Sequence, residues 1–475
     1  MITQREFKKK YLKALLDNNA ALFAGAGLSV ESGMVNWKEL LKEIAEDIGL
    51  DIKKETDLVA VAQYHKNERI SRATINQEII EHFTENIKLN NKHLLLSRLP
   101  IKWYWTTNYD QLIEDALKNA NKKIDVKITQ ENLATNKPRT DVIVYKMHGD
   151  VNHPSSAVVT KDDYESYNLK RQLFTTTLQG DLISKTFLFI GFSFEDPNLE
   201  YILSRIRILL GENTREHFAF FKRVSRKDYD KLKDFKYAQV KQELRIKDLK
   251  RYSIFSVLVD SYDEIDEILA DIEKLYYLNK IFISGSAENY GDWDDKDAIE
   301  LMHKLSGQLI KDEFKIVSGF GLGVGSIIIN GVLSEIYKSK FGNSVEYLEL
   351  KPFPQISSGG IKLPELWEAY RQEMISKCGI VIFLFGNKKG EDDKIIEANG
   401  VYREFEIAKE KELIIIAIGS TGFVARKIFD DIKKDIRKYP YLKKYLKVLQ
   451  NSQNVKEIIE AIVQIIDSET KEYLK

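Results

Sequence analysis

The chain is poor in several features that usually announce a function. It holds a single cysteine, Cys378, in 475 residues. One thiol makes neither an internal disulfide nor a cysteine-based zinc cluster, which excludes a disulfide-stapled secreted scaffold and fits a reducing cytoplasm. Neither charge is in excess: Lys plus Arg and Asp plus Glu are 72 each, a formal net charge of zero. Binding nucleic acid by phosphate neutralisation needs a basic excess or a basic face, so a general nucleic-acid binder is not expected. No apolar run approaches the ~20 residues of a membrane-spanning helix; the longest, such as 380–385 and 413–418, have the length of buried strands. The start, MITQREFKKKYLKALL, is charged and lacks the apolar core and small-residue cleavage site of a signal peptide, so no leader and a cytoplasmic location are expected. No linker rich in proline, glycine and serine divides the chain.

What the chain does have is the composition of a globular protein, with 43% hydrophobic, 11% aromatic and 30% charged residues. That is enough apolar material for real cores and too much for a disordered chain. At roughly 150 residues per domain, the length predicts two or three domains. Phe7, Tyr11, Leu12, Leu15 and Leu16 recur at helical spacing. From ALFAGAGLS onward, apolar runs of strand length end in glycine-rich or polar loops, and helical patterns follow. IKWYWTTNYD (101–110), TDVIVYKMHGD (140–150) and TFLFIGFSFEDPN (186–198) each read as a buried strand running into such a loop. This alternation predicts an α/β fold with a parallel, helix-covered sheet, whose ligands bind at the carboxyl ends of the strands. After an amphipathic helix over 262–278 the pattern restarts with IFISGSAE (281–288) and continues through FKIVSGFGLGVGS (314–326), GIVIFLFGN (379–387) and ELIIIAIGS (412–420). We therefore expect two Rossmann-like parallel-sheet domains, residues 1–278 and 279–475.

In the first half, Gly25, Ala26, Gly27 and Ser29 follow the apolar run ending at Ala24 and are expected to open a helix. Glycines there let backbone approach a diphosphate while the helix N-terminus supplies N–H donors; they fit a tight structural turn equally well. Thr106-Thr107-Asn108-Tyr109-Asp110, Met147-His148-Gly149-Asp150 and Gly191-Phe192-Ser193-Phe194 come next, each at a strand end. Together and in this order, these motifs resemble the sirtuin-like NAD-binding fold over about residues 10–275. Two departures stand out. Sirtuin deacylases carry a four-cysteine zinc module, which a chain with one cysteine lacks, and where they read G-I-P-D-F-R this chain has Asn36 for the Asp and Lys38 for the Arg. An NAD site is expected; an acyl-lysine groove is not.

Cleaving the nicotinamide–ribose bond passes through an oxocarbenium-like state, as in glycoside hydrolysis generally. The protein must hold the ribose and place a nucleophile on the opposite face. An asparagine amide can hold a water and a ribose hydroxyl together without changing charge; the resemblance implies that Asn108 is that residue. His148 can take a proton near neutral pH, a role worth about 10²–10⁴-fold. Asp110 would accept hydrogen bonds in the nicotinamide pocket, or else cap the helix that follows it. Gly191 and Ser193 would meet the adenine ribose or the phosphates. The remaining histidines, His65, His82, His93, His153, His217 and His303, show no ligand spacing, and no metal site is expected.

In the second half, Gly285 and Ser286 end one strand, and Gly319-Phe320-Gly321-Leu322-Gly323-Val324-Gly325-Ser326 ends another. Glycines at alternate positions make an open loop whose N–H groups suit an anion. It is not a Walker loop, since no Gly-Lys-Ser/Thr follows. This half is similar to the SLOG superfamily, Rossmann-like domains that bind or process nucleotides, over about 280–475. A sirtuin-like domain followed by a SLOG domain resembles the effectors of Thoeris antiphage systems. That resemblance implies an NAD hydrolase, yielding nicotinamide and ADP-ribose. It also implies activation by a cyclic ADP-ribose isomer from a TIR-domain partner protein, depletion of NAD on infection, and a homotetramer that assembles further when active. Arg371 would grip the diphosphate through paired hydrogen bonds, Lys388 would add charge, and Glu404 would accept from ribose hydroxyls, unless it merely faces solvent. An NAD-dependent protein deacylase and a non-catalytic nucleotide sensor acting by assembly are the competing readings.

Overall fold

The computed structural model describes every residue except 35, 85–87, 195, 212, 339–343, 358–359, 391 and 475. The chain divides into two compact units, Met1–Glu273 and Lys274–Lys475. The division falls inside the helix Glu264–Tyr277.

The first unit is built on a seven-stranded sheet: β1 (Ala20–Ala24), β2 (Trp103–Thr106), β3 (Ile124–Lys127), β4 (Val142–Lys146), β5 (Thr186–Ile190), β6 (His217–Lys222) and β7 (Ile254–Val259), in the order β3-β4-β2-β1-β5-β6-β7. Every pairing is parallel. The central strands β1 and β5 are buried at every position, the signature of a parallel sheet covered by helices on both faces. One of those helices, Gln4–Leu16, begins with a Thr3–Glu6 capping box and buries Phe7, Tyr11, Leu12 and Leu15, as their spacing predicts. Register does the most for function. Lys146 of β4 pairs with Thr106 of β2, Thr106 with Ala24 of β1, and Ala24 with Ile190 of β5. Those strands end level, so the loops after them emerge side by side.

The second unit has a five-stranded parallel sheet: β8 (Lys280–Ser286), β9 (Lys315–Ser318), β10 (Leu348–Leu350), β11 (Ile380–Phe385) and β14 (Ile414–Ala417), in the order β10-β9-β8-β11-β14. A short antiparallel hairpin, β12 (Asn387–Lys389) and β13 (Ile395–Glu397), follows β11. In each sheet the strand order reverses once, beside β1 in the first and beside β8 in the second. A crevice at such a reversal is where open α/β sheets bind ligands. Among the described residues, no helix is long and apolar enough to cross a membrane.

Candidate active site and ligand cleft

The loop after β1 does not open an α-helix, contrary to expectation. It forms two short 3₁₀ turns, Ala26–Leu28 and Val30–Ser32, closed by Gly33 in the left-handed conformation. The reason lies in its N–H groups. Gly25 donates to Ile190 O and Gly27 to Gly191 O, while Leu28 and Ser29 donate back to Gly25 and Ala26. The loop is thus laced to the loop after β5. Gly191 sits there at φ +63°, and a Cβ on it would run into the Leu28 amide; one on Gly25 would stand 2.5 Å from Gly191 O. These glycines allow two backbones to touch. The first α-helix after the loop, Trp37–Leu40, starts instead at Asn36, whose Oδ1 accepts the Lys38 and Glu39 N–H groups. The departure from the deacylase motif therefore has a local use as a helix cap.

Asn108 stands between these loops and is buried. Its N–H donates to Thr106 Oγ1, and its Nδ2 donates to Gly25 O (3.2 Å) and Ser29 Oγ (3.1 Å). Its Oδ1 is buried without a partner. The donor end is anchored and the acceptor end is left open.

His148 is buried against the edges of Tyr164 and Tyr167. Its Nε2 lies 3.1 Å from Asp196 Oδ2, an ion-pair approach without hydrogen-bond alignment. Asp196 also caps the helix Pro197–Leu210 by accepting the Leu199 N–H. Burial pushes its carboxyl up, but the facing His148 and the Leu199 and Asn198 N–H groups outweigh that and hold it below the usual range. Sequence reasoning passes over Asp196, because D-P before an apolar helix reads only as a cap.

Asp110 is buried and accepts the Leu112 N–H two residues on, a turn bond, while the N-cap of the helix Leu112–Asn119 is Gln111. Ser193 is exposed beyond β5, and Ala24 is the buried last residue of β1. Buried side-chain atoms without a hydrogen-bond partner lie at this end of the sheet: Ser32 Oγ, Asn108 Oδ1 and Asn198 Nδ2. Each such group costs about 1–3 kcal/mol unless a ligand or water meets it. That pattern marks a polar site. Among the described residues, no group of His, Cys, Asp and Glu is placed to hold a metal ion.

In the second unit a cleft of about 210 Å³ opens at the strand reversal, lined by Ser284, Gly285, Ser286, Gly319, Gly321, Phe353, Arg371, Lys388, Gly400 and Glu404 among others. Glu404, on the helix Asn399–Glu410, is buried rather than solvent-facing. Its Oε2 accepts from Ser284 Oγ at 2.5 Å and its Oε1 lies 3.4 Å from Arg371 Nε. Burial pushes the Glu404 carboxyl up, against the pull of Ser284 and Arg371. The Arg371 guanidinium rests 4.9 Å above the Phe353 ring. Phe353 and Gly400 are among the lining residues that sequence reasoning did not single out, whereas Ser284 belongs to the strand-end motif that it did. Leu322 and Gly323, next to Gly321, are not among the residues that line this cleft: the Leu322 side chain is exposed and its carbonyl accepts the Ala287 N–H, while Gly323 O accepts from Tyr290.

The fold and both crevices define a class: a SIR2-like unit joined to a SLOG-type unit. A SIR2-like domain model matches residues 102–246, and the model of the Sir2- and TIR-associating SLOG family matches residues 264–469. The chain is 47% identical to NAD(+) hydrolase ThsA of Cytobacillus dafuensis, covering 98% of this chain and 97% of the relative. It is 45% identical to NAD(+) hydrolase ThsA of Bacillus cereus (strain MSX-D12), covering 97% of each. NAD(+) hydrolase ThsA of Enterococcus faecium is 43% identical, with 97% and 98% covered. The chain belongs to the ThsA family.

Proposed function

We propose that the first unit hydrolyses NAD to nicotinamide and ADP-ribose, and that a cyclic ADP-ribose isomer in the second-unit cleft switches this activity on. The observation that carries the first half is Asn108: its amide nitrogen is fixed by Gly25 O and Ser29 Oγ, and its Oδ1 is buried and unpaired. Relatives over nearly the full chain are named NAD(+) hydrolase. In this reading Asn108 Oδ1 holds the attacking water. The ribose C1′–nitrogen bond breaks with its electron pair going to nicotinamide, and the water oxygen bonds to C1′. His148 takes the water's proton, and Asp196 steadies the resulting imidazolium. Asp110 borders the nicotinamide, while Ala24, Gly25, Ala26, Gly27, Gly191 and Ser193 border the rest of the NAD molecule. No metal takes part.

The second half rests on a cleft at the strand reversal that offers two cations, Arg371 and Lys388, beside the buried acceptor Glu404. Moving a two-state protein from 1:99 to 99:1 needs about 5.5 kcal/mol of differential binding. A ligand with a diphosphate, two riboses and a base has enough groups to supply it. The match to a Sir2- and TIR-associating SLOG family supports a TIR-domain protein as the source of that ligand. NAD depletion would then serve antiphage defence in the cytoplasm, with the active form a homotetramer that assembles further.

The test is NAD consumption by the purified protein, with products resolved by chromatography, with and without cyclic ADP-ribose isomers. Turnover to nicotinamide and ADP-ribose is expected, raised by one isomer and lost in Asn108→Ala. Binding without turnover would sink the hydrolase reading, and acceleration by acetylated peptides would favour a deacylase.

A further inference from the structure

The last residue of β4, Lys146, is completely buried. A lone ammonium there would be very costly, and this one is surrounded by acceptors. It lies 2.6 Å from Asp150 Oδ2 and 3.1 Å from Glu114 Oε1. It also donates to the carbonyl oxygens of Tyr109, at 3.3 Å, and Asp110. Burial would neutralise the amine, but Glu114 and Asp150 outweigh it and keep it protonated.

Those carbonyls belong to the two residues that follow Asn108, and Asp150 lies two residues after His148. One ammonium therefore joins the turn that carries Asn108 to the turn that carries His148. Tyr109 O makes the same link once more by accepting the Val151 N–H at 3.0 Å, and its phenol donates at 2.8 Å to the carbonyl of Val158, whose N–H in turn donates to His148 O. Upstream, Asn108 is held by Thr106 Oγ1, Gly25 O and Ser29 Oγ. With both sides of the turn fixed, Asn108 Oδ1 is the atom left without a partner.

We propose that Lys146 is a positioning residue for the hydrolytic step, its ammonium fixing the Asn108 turn against the His148 turn so that Asn108 Oδ1 stays aimed at the reacting centre. The proposal rests on the NAD hydrolase reading for its kinetic consequence and on the contacts alone for its structural one. A displacement near 1 Å in a positioned group costs about 10²-fold in rate.

Two full-chain variants test it. Lys146→Met keeps the stem and removes the ammonium. Lys146→Met with Asp150→Asn removes one charge of each sign and leaves Glu114 as the one carboxylate that faced the ammonium, a group that burial already pushes towards its neutral form. The expected result in the double variant is a melting temperature close to that of the parent. Its kcat for NAD should fall about 10²-fold with KM changed less than about threefold, since Lys146 touches no part proposed to hold the phosphates. Amide exchange in a peptide spanning 107–111 should quicken about tenfold or more, while one spanning 20–24 stays as in the parent. A folded double variant with parental kcat and parental exchange at 107–111 overturns the proposal. So does failure of the double variant to fold, which would make the ammonium a pillar of the fold rather than an aligner of one turn. If the parent itself does not consume NAD, the functional reading fails, and the exchange comparison still decides the role of Lys146.

Discussion

His148 Nε2 approaches Asp196 Oδ2 to 3.1 Å, a contact that spans the carboxyl ends of β2 and β1, the strands lying between β4 and β5 in the sheet. Residues 48 apart in sequence meet because register brings their strands to one level. Asp196 serves two ends: it caps its own helix through Leu199 N and faces the imidazole with a charge. Asn caps helices as well as Asp does, so Asp196→Asn separates the two. Stability should change by less than about 1 kcal/mol, while kcat for NAD falls about 10²–10⁴-fold. Thermal melting alongside steady-state kinetics checks both; a variant with parental kcat would remove Asp196 from the mechanism.

The interlocked glycines give a stability prediction with an internal control. Gly191, at φ +63°, has no room for a Cβ against Leu28, whereas Gly49, at φ +79°, has nothing within 4 Å of the same position. Both Ala substitutions put a side chain in left-handed backbone, worth about 1–2 kcal/mol. Only Gly191→Ala adds a clash with a neighbouring loop. It should cost about 3 kcal/mol or more, and Gly49→Ala about 1–2 kcal/mol, by chemical denaturation. Equal costs would mean that the two loops part readily.

Much of this was legible in the sequence, because continuous apolar runs ending in polar loops declare a parallel sheet. The strands β2, β4, β5, β9, β11 and β14 fall within the runs read as strands, and β1 and β8 begin one residue ahead of theirs. β3, with the sequence IDVK, was not legible: it is half polar, and a Lys127–Asp125 ion pair is buried within it. Nor was the turn after Gly25, since a glycine loop before a helical pattern looks alike whether it opens a helix or laces to another loop. Asn108 and His148 stood out because motif order marks them. Asp196, Lys146 and Phe353 did not, because their significance comes from contacts between distant segments that no local spacing encodes.

Acid should weaken the first unit through its buried imidazoles. His217 is buried, its Nδ1 accepts the Phe187 N–H, and burial pulls its pKa from 6.5 down to about 3. Burial pushes His93 in the same direction. Between pH 6.5 and about 3 the unfolded chain therefore binds a proton at His217 that the folded chain refuses. Stability is unaffected by His217 above that window and falls as pH drops through it, by up to about 1.4 kcal/mol per unit. Melting curves from pH 7 to 5 should show the fall, and His217→Asn, which cannot take up the proton, should flatten it. An unchanged slope in that variant would refute the assignment.

In the second-unit cleft, the Arg371–Glu404 pair allows ligand recognition to be separated from stability. Glu404 is buried in the cleft wall, and burial already pushes its carboxyl up. Taking away Arg371, whose Nε lies 3.4 Å from Glu404 Oε1, leaves a buried acid with Ser284 as its remaining side-chain partner. Arg371→Ala should therefore lower stability by about 1–3 kcal/mol as well as abolish activation. Glu404→Gln differs in kind: the amide fills the same space, can still accept from Ser284 Oγ, and carries no charge to bury. Its stability should match or exceed the parent's. Its binding to the activating cyclic ADP-ribose isomer should nonetheless weaken about tenfold or more, because a neutral amide accepts a ribose hydroxyl more weakly than a carboxylate does. Calorimetric titration and thermal melting of the two variants separate these outcomes. A Glu404→Gln protein that binds the isomer as tightly as the parent would show that Glu404 supports the cleft wall and takes no part in recognition.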